Sequence, residues 1–384
     1  MRVLYVIDSL VPGGAEQSLA AMAVPLRDEG VTLEITVLHQ RPGFGEGLIE
    51  AGVIVSSLAG AGGRAGWVAR ATSRVRSRQP DLIHTTLYEA NLVGRAAGAL
   101  TRTPVVSSLV NVPYGAEQRR APGLEGWKVR AAQGLDLVTA QTVVRFHAIT
   151  AWVADVMAPR LRIDRNRIDI IPRGRDEAML GRRTSERRAK ARADLGVDDP
   201  RTPLLLAAAR QEHQKGLDIL LEAMPSVLAQ RSDARLVIAG RTGNQTPLLR
   251  AMAERLGLGE RARFLGVRAD VAELLCAADA FVVPSRWEGL GSVLLEAMAL
   301  EAPIVVSDLP PVREILPDDH HARFVAPGRA EELATALVAT LADPGAAARR
   351  AEVARTRFVQ RFTIGRVAQE MAAFYERARA PRAG

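Results

Sequence analysis

The sequence predicts an α/β protein built from two doubly wound, Rossmann-like domains facing a cleft. Three observations lead there. Short apolar runs alternate with longer helical patterns along nearly the whole chain. The runs are apolar on both faces, as strands of a parallel sheet covered on both sides must be. The alternation breaks once, in a charged stretch at 173–200, and then restarts. A chain of 384 residues is too long for one ordinary core, and two domains of roughly 150–200 residues each accommodate it.

In order, the first half carries apolar runs at 3–7, 33–38, 53–58, 82–85, 105–110, 135–140, 148–150 and 168–171, each read as a strand. Leu19, Met22, Ala23 and Leu26 fall at helical spacing, and Gly30 then ends that helix. Leu92, Ala96 and Leu100 mark a second helix in the same way. Segment 173–200 lacks apolar periodicity and ends in Asp-Asp-Pro, so it reads as the tail of a linker plus one exposed helix. Strands follow at 204–208, 236–239, 263–265, 280–283, 304–307 and 323–325. The last stretch, 363–380, reads as one helix with Val367, Met371 and Phe374 on a face. Domain limits of 1–172 and 173–362 follow. Ligands of such sheets bind beyond the carboxyl ends of the strands, which makes the cleft the natural site.

Hydrophobic residues at 48% and charged residues at 24% are those of a soluble globular protein. Aromatics are 4%, too few for the stacking platforms of a single-strand nucleic-acid binder. The formal charge of +8 is almost all arginine, because Lys128, Lys190 and Lys215 are the only lysines. Dense basic runs usually form solvated faces and linkers, and 173–192 is expected to be one. Cys276 sits in the helical pattern VAELLCAADA and reads as a small core residue. The first apolar run is too short for a signal peptide, and no run approaches the length of a spanning helix. A cytoplasmic location is the expectation.

Four motifs sit at strand-to-helix turns. Gly13 and Gly14, in DSLVPGGAE, would let backbone approach a ligand closely. Arg210 and Lys215, in RQEHQKG, place two cations on a loop that opens a helix, where they can neutralise a diphosphate. The FLGVRAD loop offers backbone at Val267 to a flat base edge, and Asp270 caps the next helix. Glu288 lies in a glycine-bearing loop and Glu296 about one turn inside the following helix, with Leu290, Gly291 and Ser292 between them. A helix start suits a phosphate. Carboxylates beside it make sense if they accept hydrogen bonds from sugar hydroxyls of the same ligand. Taken singly, each motif is equally an ordinary turn, a pair of solvated charges or a favourable helix dipole. Their order along the chain is what sets them apart.

That set and order resemble the large fourth family of retaining glycosyltransferases, of the GT-B architecture. EGLGSVLLEAMALEAPIVVSDLPPVREI resembles the family's E-x7-E block, and GGAE with IHTTLYEANLVGR resembles features of its first domain. The resemblance implies a nucleotide-sugar donor held by the second domain and an acceptor gripped by the first, with 363–384 crossing back to that first domain. It implies that Arg210 and Lys215 bind the diphosphate and that Glu296 accepts from the ribose. Glu288 would sit by the transferred sugar, with the backbone at 290–292 near phosphate or sugar and the Val267 loop at the base. Gly13 and Gly14 would approach the diphosphate across the cleft. The chain departs from the family in three places: Pro-Arg-Gly-Arg-Asp at 172–176, Glu301-Ala302-Pro303, and SSLVNV after Pro104, which lacks a common histidine that Asn111 would partly replace.

His84 ends a strand and is expected to point at the cleft, where it would orient an acceptor or help position phosphate, or serve as packing. There is no D-x-D triplet, so no metal and no cofactor beyond the donor is expected. The expected chemistry is sugar transfer to an acceptor hydroxyl with retention, in glycan, polysaccharide or glycolipid synthesis. Two other readings remain at this level. A nicotinamide oxidoreductase would share the fold class but lacks the G-x-G-x-x-G turn. A sugar-nucleotide-binding module without catalysis would account for the missing histidine. Basic helical stretches at 63–78 and 114–130, with Trp67 and Trp127, also fit an anionic membrane surface holding a lipid-linked acceptor, or plain covering helices.

Overall fold

The computed structural model describes residues 1–114 and 126–380. The chain forms two compact units, Met1–Asp176 with Phe362–Gly384, and Glu177–Arg361. In the first, strands alternate with helices throughout: β1 (Arg2–Ile7), α1 (Gly14–Asp28), β2 (Thr32–Val37), α2 (Gly45–Glu50), β3 (Ile54–Ser57), α3 (Gly63–Arg78), β4 (Leu82–Thr86), α4 (Tyr88–Thr101), β5 (Val105–Leu109), α5 (Gly126–Ala140), β6 (Arg145–Ala148), α6 (Ala151–Leu161) and β7 (Ile168–Ile170). The sheet is parallel in the order β3-β2-β1-β4-β5-β6-β7. Its order reverses between β1 and β4, the doubly wound pattern.

The second unit repeats the plan: α7 (Glu177–Leu180), α8 (Ser185–Ala193), β8 (Leu204–Ala208), α9 (Leu217–Gln230), β9 (Arg235–Ala239), α10 (Thr246–Arg255), β10 (Ala262–Gly266), α11 (Val271–Ala277), β11 (Ala280–Val283), α12 (Ser292–Ala299), β12 (Ile304–Ser307), α13 (Pro310–Ile315), β13 (Arg323–Val325), α14 (Ala330–Ala342) and α15 (Pro344–Arg361). Its sheet runs β10-β9-β8-β11-β12-β13, again parallel, with the reversal between β8 and β11. The strands β8, β11 and β12 are buried almost throughout, because helices cover both faces. Cys276 is buried in this unit.

The final helix, α16 (Ile364–Arg379), belongs to the first unit. Val367, Met371, Phe374 and Tyr375 share a core cluster there with Leu19, Met22 and Leu26 of α1. The chain leaves and re-enters this unit side by side. Arg175 N donates to the Phe362 carbonyl and Ile364 N to the Arg175 carbonyl, both at 2.9 Å.

Four local expectations are overturned. Residues 135–140 are the end of helix α5, not a strand. Its buried positions Val129, Asp136 and Ala140 recur at helical spacing, and a six-residue apolar run alone does not distinguish the two periods. The run at 148–150 straddles a boundary: β6 ends at Ala148, and Thr150 caps α6 by accepting from Val153 N at 3.2 Å. On α4 the buried face is Ala90, Val93, Gly94, Ala97 and Gly98, while Leu100 is exposed. Small residues, not the leucines, let this helix lie close on the sheet.

The fourth correction concerns the arginines of 173–200: the segment does hold the boundary between the units and a largely exposed helix, α8, but several of its guanidinium groups are not solvated. Arg183 donates to the carbonyls of Cys276, Ala278 and Glu301 at 2.8–3.1 Å. Arg188 and Arg192 both reach Asp279, and Arg192 also bonds the carbonyls of Asp199 and Thr202. The last carbonyls of α11 have no partner within their helix, and the guanidinium forks of this segment satisfy them. At the start of α11, Asp270 occupies the cap position but makes no cap hydrogen bond; its carboxylate pairs with Arg268 at 2.5 Å.

Candidate functional site

In the second unit, the reversal of strand order brings the loop after β8 against the loop after β11. Gly216 shows how close they come. It has φ +61, and a Cβ there would lie 2.0 Å from the Pro284 carbonyl oxygen. The first loop carries Arg210 and the single turn His213–Lys215 into α9. The second carries Ser285, Glu288 and Gly291 into α12.

The structure brings Lys215 and Glu288 into direct contact, with Lys215 Nζ 2.5 Å from Glu288 Oε1. Ser285 Oγ donates to the same carboxylate oxygen at 2.8 Å. The Glu288 side chain is 6% exposed and that of Lys215 is 17% exposed. The pair is therefore mostly desolvated, yet the ammonium keeps protons free for a ligand. Arg210, on the same loop, is exposed.

The start of α12 has a backbone cap. Gly291 takes φ +78 and, being glycine, caps the helix with backbone alone, and a helix start of this kind is the place where backbone amides can meet an anion. Gly291 and Ser292 are half-buried, while the Leu290 side chain is buried and only its backbone can serve. Glu296 is buried one turn along the helix. At the end of β10, Gly266 accepts from Gly240 N at 2.7 Å, and Val267 beside it is 76% exposed. Lys215, Glu288, Arg210, Glu296, the 290–292 backbone and Val267 thus all lie at the carboxyl edge of the second sheet.

Gly13, Gly14 and His84 lie in the first unit. Gly13 is the backbone cap of α1, with extended dihedrals, and both glycines are exposed. Asn111 is exposed beyond the end of β5. Asp8, at the end of β1, accepts from Ala90 N at 2.8 Å, and burial pushes its carboxyl up to about 6.

His84 does not open toward a substrate. It is fully buried within β4. Its Nδ1 lies 2.7 Å from Tyr375 Oη and its Nε2 2.7 Å from Ser108 Oγ. Both ring nitrogens are occupied by protein, so the residue sits as a core element with no free nitrogen to offer a ligand in this arrangement. A strand-end histidine in a sequence does not reveal which neighbours take its nitrogens.

The sequence reading missed Ser285, Arg286 and Asp218, which surround the Lys215–Glu288 contact. The available signal was position. Asp218 lies in the first turn of the helix after Lys-Gly, and Arg286 lies two residues before Glu288. On the membrane-facing expectation, several cations of α3 are paired within the protein. Arg64 pairs with Glu89 at 2.5 Å, Arg74 with Glu34 at 3.2 Å, and Arg70 donates to the carbonyls of Leu58 and Ala61. Of the stretch 114–130, residues 115–125 lie outside the described residues. No helix among the described residues is long and apolar enough to cross a membrane.

Two family models match the chain. One is described as Glycosyl transferases group 1, over residues 188–357, and the other as Glycosyltransferase Family 4, over residues 12–178. An uncharacterized glycosyltransferase, MJ1607, of Methanocaldococcus jannaschii is 28% identical over 268 residues, 69% of this chain and 67% of its own. An alpha-D-kanosaminyltransferase of Streptomyces kanamyceticus is 30% identical over 194 residues, 50% of each chain. The chain thus spans between half and two thirds of these curated relatives. Among solved structures, Anabaena Alr3699/HepE in complex with UDP-glucose superposes with a TM-score of 0.85 at 25% identity, covering 98% of this chain and 100% of that one. The chain belongs to the fourth family of glycosyltransferases, the glycosyl transferases group 1, and has their GT-B fold.

Proposed function

We propose that this chain moves a sugar from a nucleoside diphosphate sugar to an acceptor hydroxyl, with retention of anomeric configuration. The observation that carries this is the Lys215–Glu288 contact at the switch point of the second sheet, beside Arg210 and the glycine-capped start of α12. In the reaction the bond from the anomeric carbon to the β-phosphate oxygen breaks, and that carbon bonds the acceptor oxygen. The acceptor's proton passes to the departing phosphate oxygen, so no separate general base is needed.

Negative charge grows on the diphosphate as the bond breaks. Lys215, Arg210 and the amides at 290–292 stabilise it in place of a divalent metal. Glu296 accepts from the ribose hydroxyls, Glu288 adjoins the transferred sugar, and the exposed Val267 loop meets the base. The complex of the Anabaena protein with UDP-glucose makes a UDP-sugar the first donor to try. The first unit is assigned the acceptor, a glycan or a lipid-linked saccharide at an anionic membrane surface. An exposed apolar stripe on α5, Trp127, Leu135 and Val138, supports the lipid-linked class.

The test is turnover on a panel of UDP-, GDP- and ADP-sugars, with glycan and lipid-linked acceptors and with and without chelator. Lys215→Ala and Glu296→Ala should each lower the rate on the order of 10²–10³ while the unfolding temperature stays near wild type. Chelator should change nothing. Wild-type turnover in either variant removes the assignment, and rate loss with chelator removes the metal-independent mechanism.

A further inference from the structure

We propose that Arg286 and Asp218 are positioning residues that set the turn carrying Lys215 against Glu288. The proposal rests on the reading of Lys215 as a ligand of the donor diphosphate. A lysine ammonium sits on a flexible stem, and its aim depends on the backbone beneath it. That backbone is one isolated turn, His213–Lys215, closed by Gly216 in the left-handed region. A single turn of this kind is weak by itself.

The loop after β11 holds it from outside. The Arg286 guanidinium grips both carboxylate oxygens of Asp218, at 2.8 and 2.6 Å, and its Nη1 also donates to the His213 carbonyl at 2.9 Å. The Arg286 backbone N donates to the Gln214 carbonyl at 2.8 Å, and Gln214 Nε2 donates to the Trp287 carbonyl at 2.9 Å. Asp218 lies in the first turn of α9, two residues past Gly216. Arg286 therefore ties the turn, the helix after it and the Glu288 loop into one unit.

The pair is half-buried, at 24% and 19% exposure. It is thus shielded from the screening that makes exposed pairs weak. Burial alone would raise the Asp218 carboxyl, but the Arg286 bonds and charge outweigh it and hold it below the usual range. Neither side chain hydrogen-bonds Lys215 or Glu288. Their effect passes through the backbone, as a planar two-point fork allows and a point charge does not.

The chain has only three lysines, Lys128, Lys190 and Lys215, so lysine labelled with ¹³C and ¹⁵N at the side-chain end gives three signals from the intact protein. Lys215→Gln assigns one of them. Arg286→Gln and Asp218→Asn should each move the Lys215 signal toward the free-lysine position and leave those of Lys128 and Lys190 in place. Arg286→Lys, which keeps the charge and loses the fork, should move it in the same direction. Asp218→Asn preserves shape, so it reports even if Arg286→Gln does not fold. A Lys215 signal unmoved in the folded variants overturns the inference.

A second arm uses UDP, GDP and ADP as probes in calorimetry. For whichever of them binds, Arg286→Gln should weaken the affinity about tenfold, with no further loss when added to Lys215→Gln. Additive losses overturn the inference. If the Lys215 signal moves as expected but Lys215→Gln leaves nucleotide affinity unchanged, the diphosphate reading fails and the positioning stands.

Discussion

Two buried histidines in the first sheet have their protons fixed by their partners. His147 Nε2 lies 2.8 Å from the Ile171 carbonyl, which can only accept, so that nitrogen carries the proton. In the neutral ring that burial favours, His147 Nδ1 accepts from Ser108 Oγ, 2.8 Å away. The same hydroxyl oxygen is left to accept from His84 Nε2, and His84 Nδ1 accepts from Tyr375 Oη. With both rings neutral, every one of these bonds has one donor and one acceptor. Burial pushes His147 down to about 4 from the ordinary 6.5, and burial together with the neighbouring His147 holds His84 well below its usual value. The unfolded chain therefore takes up protons below pH 6.5 that the native state refuses, and stability falls as pH drops from 6.5 toward 4. Asp8 works the other way, because its raised pKa makes the native state bind a proton as pH falls through about 6. Comparing wild type with His147→Gln cancels Asp8. Urea unfolding should show the wild type losing about 1.4 kcal/mol per pH unit relative to the variant across this window. A pH-independent difference would mean that His147 is charged in the native protein.

Helix α4 shows what an element needs from its smallest residues. A Cβ on Gly94 would meet Thr85 Cγ2 at 2.3 Å, and one on Gly98 would meet Val105 Cγ2 at 2.2 Å. The helix rests on the sheet through bare backbone, and its sole buried cation, Arg95, reaches past it to Asp136 at 2.6 Å. Gly98→Ala should therefore cost about 1–3 kcal/mol through overpacking, despite the higher helix propensity of alanine. Leu100→Ala on the exposed end should stay within about 0.5 kcal/mol. Denaturant midpoints decide it, and a stabilised Gly98→Ala would refute the close approach. The sequence invites the opposite ranking, because periodicity marks leucines and not the glycines that set the distance. Strands β8, β11 and β12 were legible for the complementary reason: they are covered on both faces, so each is a nearly unbroken apolar run. The sequence also singled out Lys215, Glu288, Arg210 and Glu296, since each follows a strand end or helix start recognisable by local pattern. The Arg286–Asp218 tie was not legible. It joins residues 68 positions apart, and nothing local separates those two charges from the other charged side chains.

At the scale of the molecule, a formal charge of +8 overstates what the surface offers a partner. Arg95, Arg183, Arg188, Arg192 and Arg355 are committed to internal carbonyls and carboxylates. Composition alone assigned such arginines to solvated faces, because whether a guanidinium meets water or a helix end depends on packing. The cations of α3 are largely paired as well. Helix α5 differs. Trp127, Leu135 and Val138 are at least half exposed, Lys128 and Arg130 are exposed between them, and the helix's one acid, Asp136, is buried against Arg95 and Tyr114. This is the face that the proposed anionic lipid surface would meet. Each cation contributes about 1 kcal/mol near such a surface, and a few apolar side chains add a comparable amount, so attachment should be weak and salt-sensitive. In co-sedimentation, the intact protein should bind vesicles rich in anionic lipid, ignore neutral ones, and be released by salt at about 0.5 M, where charges are screened within a few ångströms. Trp127→Ser with Lys128→Ser should remove most of the binding, whereas Arg76→Ser on α3 should not. Binding carried equally by both helices, or none at any salt, would leave the acceptor without a membrane.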